Sequence, residues 1–324
     1  MKLPDVQNKR AAIPISLQKV GVVGVKTPIG YVSFHGKPVV IIPTFDVFID
    51  LPSKLKGIHA SRSYEVILEI IGRHVGQTYK LEDICAVIAK ELLNHHVYAT
   101  RSEVKAYGEA ILEKPTPKLR KISYESCDLT ARAVGKRGAE EGEFKIRKQI
   151  GVGITGLTAC PCAQEILRDI SKKSLTGFKG IPKEVADKFL DSIPIATHMQ
   201  RSYSSIFTDV PEGFELDAAR IADVIEDSMS APTFGLLKRS DEAEVVKMAA
   251  ERPRFVEDCI RHMMRNFIRS FPELPDTVVV EFKVRSSESV HKHDLVTRRK
   301  ITVGELRREL RRACHSDQPA TPQP

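Results

Sequence analysis

The segment "ACPCAQE" places two thiols, Cys160 and Cys162, on either side of a proline. Proline pushes the residue before it out of helical backbone, so Cys160 is expected to be extended. Ile166, Leu167 and Ile170 follow at helical spacing, which predicts that the thiols sit where a strand hands over to a helix. Unpaired N–H groups and the helix dipole stabilise a thiolate there, as a metal ligand or a nucleophile. The structural alternative is a pair of small buried hydrophobes. Two cysteines do not complete a tetrahedral site. Further donors occur downstream: His198 in "ATHMQRSY", Glu242 in "LKRSDE", and Glu288, His291 and His293 in "ESVHKHD". In an extended chain His291 and His293 share a face. Taken singly, each also reads as a hydrogen-bonded histidine, an exposed acid at a helix start or a solvated turn.

The same stretch opens as "GVGITG", which spells the G-x-G-x-x-G of dinucleotide-binding folds. That fingerprint needs a buried strand before it and a helix opening at its third glycine. Here the preceding strand alternates with charges, and Leu157, Thr158 and Ala159 lead into Cys160-Pro161 rather than a helix. The glycines are therefore expected to let something pack against the strand, or to let it twist.

The elements that must carry these residues are legible as alternation. Phe144, Ile146, Ile150, Val152 and Ile154 share one parity, and Lys145, Arg147, Gln149 and Thr155 the other. Val278, Val280, Phe282 and Val284 alternate with Glu281, Lys283 and Arg285 in the same way. Such strands suit an antiparallel sheet with one wetter face. Helical patterns occupy roughly 61–75, 80–94, 216–230 and the segment after Pro253, where Phe255, Val256, Cys259, Ile260, Met263, Met264, Phe267 and Ile268 form one stripe. The order strand, strand, helix, helix, strand, strand runs through twice. The charged joint "GKRGAEEGE" between the two passes sets the expected boundary: a first module at 1–137, a second at 138–315, and a polar, proline-rich tail at 316–324. A short echo, H-x-x-R-S-Y at 59–64 and again at 198–203, adds little to the duplication.

The chain of 324 residues has a hydrophobic content of 42%, enough for one large core or two ordinary ones. No apolar run is long enough to span a membrane, and the start lacks the apolar core of a secretory signal, so a cytoplasmic protein without a membrane partner is expected. Six cysteines in a chain of this length do not make a disulfide framework. The net charge of +8 favours an anionic partner. With no tryptophan, 6% aromatics and no interleaving of aromatic with basic residues, a phosphorylated small molecule is favoured over nucleic acid.

Taken together and in order, "GITGLTACPCAQE", "ATHMQRSYSSI", "LKRSDE", "RPRFVED" and "SSESVHKHD" resemble the metal-dependent type IB GTP cyclohydrolases, and within them the archaeal branch that starts methanopterin synthesis. "GVVGVKTPIG" and "FDVFIDLPSKLKGIHASRSYEV" extend the resemblance over nearly the whole chain. It implies an α+β fold: tandem tunnelling-fold (T-fold) modules, each an antiparallel four-stranded sheet with two helices, assembled as a homodimer or homotetramer whose sheets form a barrel. Carried over motif by motif, it implies that Cys160, His198 and Glu242 hold the metal, with Cys162 as the alternative or supporting thiol and His293 as further support. Glu257 would anchor the guanine edge, since a carboxylate accepts two parallel hydrogen bonds. Glu288 and His291 would move protons or add a ligand. Here His198 lies 36 residues beyond Cys162, where bacterial relatives place the histidine soon after the cysteines; this insertion marks the archaeal branch and leaves the ligand set open.

Opening the imidazole ring of guanine needs a nucleophile stronger than neutral water, which a Lewis-acidic metal with an open position supplies. Thiolate, imidazole and carboxylate together suit Fe(II), Zn(II) or Mn(II), and the archaeal resemblance implies Fe(II). It also implies loss of formate and pyrophosphate to give 7,8-dihydroneopterin 2',3'-cyclic phosphate, the alternative product being 7,8-dihydroneopterin triphosphate. Arg201, Lys238 and Arg239, with Arg62 and Lys292, flank the motifs as candidates for the triphosphate clamp. Two other readings are a T-fold reductase that captures a deazapurine nitrile on a cysteine, and a basic nucleic-acid-binding protein with a structural zinc.

Overall fold

A computed structural model describes residues 5–316 except Ile29, Val75 and Glu141. The chain is α+β. Its elements are β1 (Leu17–Lys26), β2 (Gly30–Phe34), β3 (Lys37–Ile41), β4 (Thr44–Leu51), α1 (Ala60–His74), β5 (Thr78–Tyr79), α2 (Leu81–His95), β6 (Arg101–Pro115), β7 (Ile122–Arg137) and β8 (Phe144–Ala159), followed by α3 (Pro161–Thr176), α4 (Lys183–Ser192), β9 (Met199–Val210), α5 (Ala218–Asp227), β10 (Ala231–Pro232), α6 (Arg239–Glu251), α7 (Val256–Ser270), β11 (Val279–Ser286), β12 (Leu295–Thr302) and α8 (Val303–Ser316). Contacts divide the chain into two compact units. Of the described residues, one takes those before Leu112 with Cys127–Val152 and Phe207–Ala219; the other takes Leu112–Ser126, Gly153–Ile206 and those from Arg220 to Ser316. The tail expected at 316–324 lies outside the described residues apart from Ser316, the last residue of α8.

In the first unit β1 pairs antiparallel with β4 and β4 with β6, while β7 lies beside β6. The β2–β3 hairpin is an addition, and β5 pairs parallel with β2, which makes the sheet mixed. Val66, Ile67, Ile70 and Ile71 of α1 and Ile84, Cys85, Ile88, Ala89, Leu92 and Leu93 of α2 recur at i, i+1, i+4, i+5 and are buried. Phe45, Val47, Ile49 and Leu51 of β4 are buried as well, and α2 packs against that strand. Burying each large apolar side chain contributes about 1.5–3 kcal/mol relative to exposure. The other parity of β6 is polar. Glu103, buried, accepts from Arg132 Nε at 3.0 Å and Lys19 Nζ at 2.7 Å. Burial pushes its carboxyl up, but these two cations outweigh burial and hold it below its ordinary value.

Two buried groups of this unit titrate in opposite senses. Glu82, in the first turn of α2, is 1% exposed and its Oε1 has no hydrogen-bond partner among the described residues. Burial pushes it up to about 7. His96, whose ring nitrogens contact Ser63 Oγ at 3.1 Å and Tyr98 Oη at 3.0 Å, is pushed down to about 4 by burial, with the neighbouring Arg62, His59 and His95 adding to the effect. Between 4.5 and about 7 folded Glu82 keeps a proton that the unfolded chain has lost, so its contribution to stability falls as pH rises through that window. Between about 4 and 6.5 the unfolded chain binds a proton that folded His96 refuses, so stability falls as pH drops. Glu82→Gln removes the first slope. Relative to the parent, its stability should gain roughly 2–3 kcal/mol more at pH 8 than at pH 5. Urea midpoints at unchanged m read this directly, and an identical pH response in both proteins would show that Glu82 is ionised in the fold.

In the second unit β9 lies between β8 and β11, and β12 pairs antiparallel with β11. The buried stripe of α7, Val256, Cys259, Ile260, Met263, Met264 and Phe267, packs on β11, whose Val280, Phe282 and Val284 are buried, and on β12, whose Ile301 is buried. With β2, β3, β5, α3, α4, β10, α6 and α8 set aside as additions, β1, β4, α1, α2, β6, β7 and then β8, β9, α5, α7, β11, β12 follow the order strand, strand, helix, helix, strand, strand. The one-wet-face expectation for β8 holds only in its first half. From Ile150 to Ile154 every residue is buried, because aromatic side chains of β9 lie across the glycines. A Cβ on Gly151 would meet the Phe207 ring, and one on Gly153 the Tyr203 hydroxyl. The G-x-G-x-x-G is thus a packing surface. Helix α3 carries no buried residue, although ion pairs of Arg168 with Asp191 and Lys172 with Asp187 tie it to α4.

Candidate active site

β8 ends at Ala159 and Cys160 is the N-cap of α3, extended at φ −78° and ψ 113° as Pro161 requires. The Cys160 Sγ accepts from the Ala163 N–H at 3.4 Å. The helix therefore opens on a half-buried sulfur, with Cys162 exposed in the first turn. The Cys160 N–H donates to the His198 carbonyl at 3.1 Å, so strand pairing joins the first thiol to the histidine across the α3–α4 insertion. Gln164, four residues on, donates from Nε2 to the carbonyls of Ile195 and Ala250, each at 2.7 Å, and fixes the approach to His198.

His198 Nδ1 lies 3.2 Å from Gln200 Oε1, its same-face neighbour at the start of β9. Gln200 Nε2 donates to Glu288 Oε1 at 3.2 Å, and Ser286 Oγ donates to the same oxygen at 2.8 Å. Below Ser286, Thr158 and Ser202 continue a buried run of hydroxyls, with oxygens 3.3 Å and 2.8 Å apart. Ser287 N–H donates to the Arg201 carbonyl at 3.0 Å, which seats the β11–β12 turn on β9. The structure thus brings Cys160, His198 and Glu288 to one end of β8, β9 and β11. His291 and His293 stack in that turn, ring centroids 5.4 Å apart and planes 17° apart, both exposed. The backbone bends there rather than running extended, so the stacking comes from the turn and not from strand alternation.

The remaining candidates are placed less centrally. Glu242 is exposed in the first turn of α6, and no hydrogen bond joins its side chain to Cys160 or His198. Helix α6 itself packs Val245 and Ala249 on Ala159 and Ala231, with Met199 against the same cluster. Glu257 is exposed in the first turn of α7, three residues beyond Arg254, whose N–H donates to the Ala159 carbonyl at 3.0 Å. Arg201, Lys238 and Arg239 are exposed; Arg62, also exposed, lies on α1. Lys292 is exposed in the β11–β12 turn. Among the described residues no group of three or more His, Cys, Asp or Glu is arranged to hold a metal. What Cys160 and His198 offer is a sulfur at a helix N-terminus and an imidazole with Nδ1 in hydrogen-bond contact and Nε2 without a partner among the described residues, donor types that suit a transition metal.

Several residues that build this site were not singled out in the sequence. Gln200 was available as the residue two beyond His198, hence on the same side of a strand. Asp241, beside Glu242, is fully buried and accepts from the amides of Lys118 at 3.0 Å and Leu119 at 2.9 Å. Burial pushes it up, yet these amides, the Thr116 hydroxyl and the Lys238 amide hold it below its ordinary value. The acid of "RSDE" next to the proposed ligand is therefore the one that anchors the N-terminus of α6 to the β6–β7 turn.

Among the described residues no helix is long and apolar enough to cross a membrane. In fold, the chain is similar to a uricase from Arthrobacter globiformis at TM-score 0.51 and 11% identity, covering 88% of this chain and 93% of that one. A hyper-thermostable AgUricase mutant matches at TM-score 0.51 and 12% identity, over 88% and 92%. At such identity the likeness is one of fold, the tunnelling fold of urate oxidases. In sequence, the chain is 40% identical over 311 residues to GTP cyclohydrolase MptA 2 of Methanocella arvoryzae, covering 96% of this chain and 99% of that protein. It is 41% identical over 308 residues to GTP cyclohydrolase MptA of Methanococcus aeolicus, covering 95% and 99%. The family model described as type I GTP cyclohydrolase folE2 matches residues 3–297. With the match spanning every segment that builds the Cys160–His198–Glu288 cluster, the chain belongs to the type I GTP cyclohydrolase folE2 family, in its MptA-like branch.

Proposed function

We propose that this protein is a metal-dependent GTP cyclohydrolase that opens the guanine imidazole ring, releases formate and forms 7,8-dihydroneopterin 2',3'-cyclic phosphate, the first step of methanopterin synthesis. The observation that carries the reading is the joining of Cys160 to His198 at the ends of β8 and β9, in a chain 40% identical over nearly its whole length to proteins named GTP cyclohydrolase MptA. Cys160 and His198 would hold the metal, Fe(II) in preference to Zn(II) or Mn(II), with Glu242 as third protein ligand and Cys162 as supporting thiol. Bound there, the ion supplies the Lewis acidity that a water needs to attack guanine C8 near neutral pH.

The protein's own groups do the rest. Glu257 accepts from the guanine N1–H and exocyclic amine, which fixes the ring's orientation. Glu288, supplied with hydrogen bonds by Gln200 and Ser286, is a carboxylate placed to take protons during ring opening and reclosure. His291, exposed on its turn beside His293, delivers and recovers protons at the ribose and ring nitrogens. Arg201, Lys238 and Arg239 are exposed cations that clamp the triphosphate. The two T-fold modules, 1–137 and 138–315, assemble with further copies into a barrel, as a homodimer or homotetramer in the cytoplasm.

The mass of the product of a single turnover tests the reaction. The cyclic phosphate with released pyrophosphate is the expected result; dihydroneopterin triphosphate would place the chain with cyclohydrolases that leave the phosphates intact. An NADPH requirement with covalent capture of a deazapurine nitrile on Cys160 would overturn the proposal.

A further inference from the structure

The geometry points to Gln200 as a positioning residue that sets the tautomer of His198 and orients Glu288 through one amide. The inference rests on the proposed role of His198 as a ligand and adds a residue to it. Glu288 Oε1 already acts as an acceptor, from Ser286 Oγ, so the Gln200 atom 3.2 Å from it is the amide NH2. The reverse amide would set two oxygens against each other. With the nitrogen committed to Glu288, the amide oxygen faces His198 Nδ1 at 3.2 Å and Ser289 Oγ at 3.4 Å. Ser289 Oγ donates to that oxygen and also lies 3.4 Å from Nδ1, but a bare Nδ1 would set two lone pairs against each other at 3.2 Å, so the neutral imidazole carries its proton on Nδ1 and leaves Nε2 as the lone pair. That is the form a metal ligand needs.

The buried hydroxyls reinforce the same direction. Ser286 donates to Glu288 Oε1 at 2.8 Å, so its oxygen is open to the Thr158 hydroxyl at 3.3 Å, and Thr158 in turn to Ser202 at 2.8 Å. Thr158, Ser202 and Ser286 are each no more than 1% exposed, so water does not offer them other partners. Each donor points toward Glu288, and Gln200 links that carboxylate to the histidine. One amide thus prepares two chemically different groups, a neutral imidazole with a chosen nitrogen free and an oriented carboxylate.

Two-bond 1H–15N correlation spectra of the metal-free, 15N-histidine-labelled full chain test this without GTP. His198 is expected with Nδ1 protonated and Nε2 bare. In Gln200→Leu the acceptor is gone, and the proton should move to Nε2, with zinc binding weaker by roughly 10–100-fold. Gln200→Glu keeps an acceptor for Nδ1–H and should keep the parent tautomer, while losing the donor to Glu288 and with it kcat more than KM. A parent protein with its His198 proton on Nε2 would overturn the inference, as would a Gln200→Leu protein with tautomer and zinc affinity unchanged. If Gln200→Leu does not fold, the parent spectrum alone decides. A parent protein with Nδ1 protonated that takes no zinc would overturn the metal reading and leave the assignment of Gln200 standing.

Discussion

Cys160→Ala and His198→Ala each yield a folded protein that retains no metal and turns over GTP at least 100-fold more slowly than the parent. The effect should exceed the roughly 10–100-fold that follows loss of an outer-sphere partner, because each change removes a donor atom itself. Neither residue holds up the core. Cys160 is half-buried, and its sulfur accepts one weak bond from Ala163 N–H at 3.4 Å; His198 is half-buried immediately before β9. The backbone bond from Cys160 N–H to the His198 carbonyl uses no side-chain atom and should persist in both variants. Circular dichroism and thermal midpoints should therefore stay close to the parent's while metal per subunit falls toward zero. Full metal content in both variants would remove these residues from the ligand set.

Glu257→Ala separates substrate binding from metal binding. It should keep the parent's metal content and lose about 10²-fold or more in kcat/KM, since two hydrogen bonds to a charged group contribute about 1.5–3 kcal/mol each. Inosine triphosphate, which lacks the exocyclic amine, sharpens the test. The parent should prefer GTP over it by at least about 10-fold, and Glu257→Ala should treat the two nearly alike. The residue is exposed in the first turn of α7, so the change should leave stability within about 0.5 kcal/mol. Unchanged discrimination between the two nucleotides would assign guanine recognition elsewhere.

The parts of the fold that were legible are those where periodicity and burial agree. Helix α7 shows its stripe from Val256 to Phe267 in sequence and in burial, and β11 alternates as its residues predict. The second half of β8 was read as having a wet face because alternation says nothing about what lies across a glycine. Tyr203 and Phe207, distant in sequence on β9, bury that face. Helix α3 has a genuine apolar stripe, Ile166, Leu167 and Ile170, that remains exposed, so pattern predicted a helix without predicting what it packs on.

The site divides along similar lines. Cys160 and His198 stood out by residue type and motif, and strand pairing of β8 with β9 then brought them together, which spacing along the chain does not encode. Gln200 carries no charge and no reactive atom, so its importance is visible only once both of its amide atoms have partners. In "RSDE", the order of two neighbouring acids conceals opposite environments: Asp241 fully buried under three backbone amides, Glu242 exposed. Helix phase decides between them.

The central claim is that this chain removes C8 of guanine with a metal held by Cys160 and His198. Incubating anaerobically purified protein with GTP labelled with carbon-13 at C8, with and without Fe(II), tests it most directly. Labelled formate should appear in step with a pterin chromophore when Fe(II) is present, and not after chelation or in Cys160→Ala. Label that stays in the nucleotide with Fe(II), Zn(II) and Mn(II) alike, or formate released equally by the chelated protein, would contradict the account.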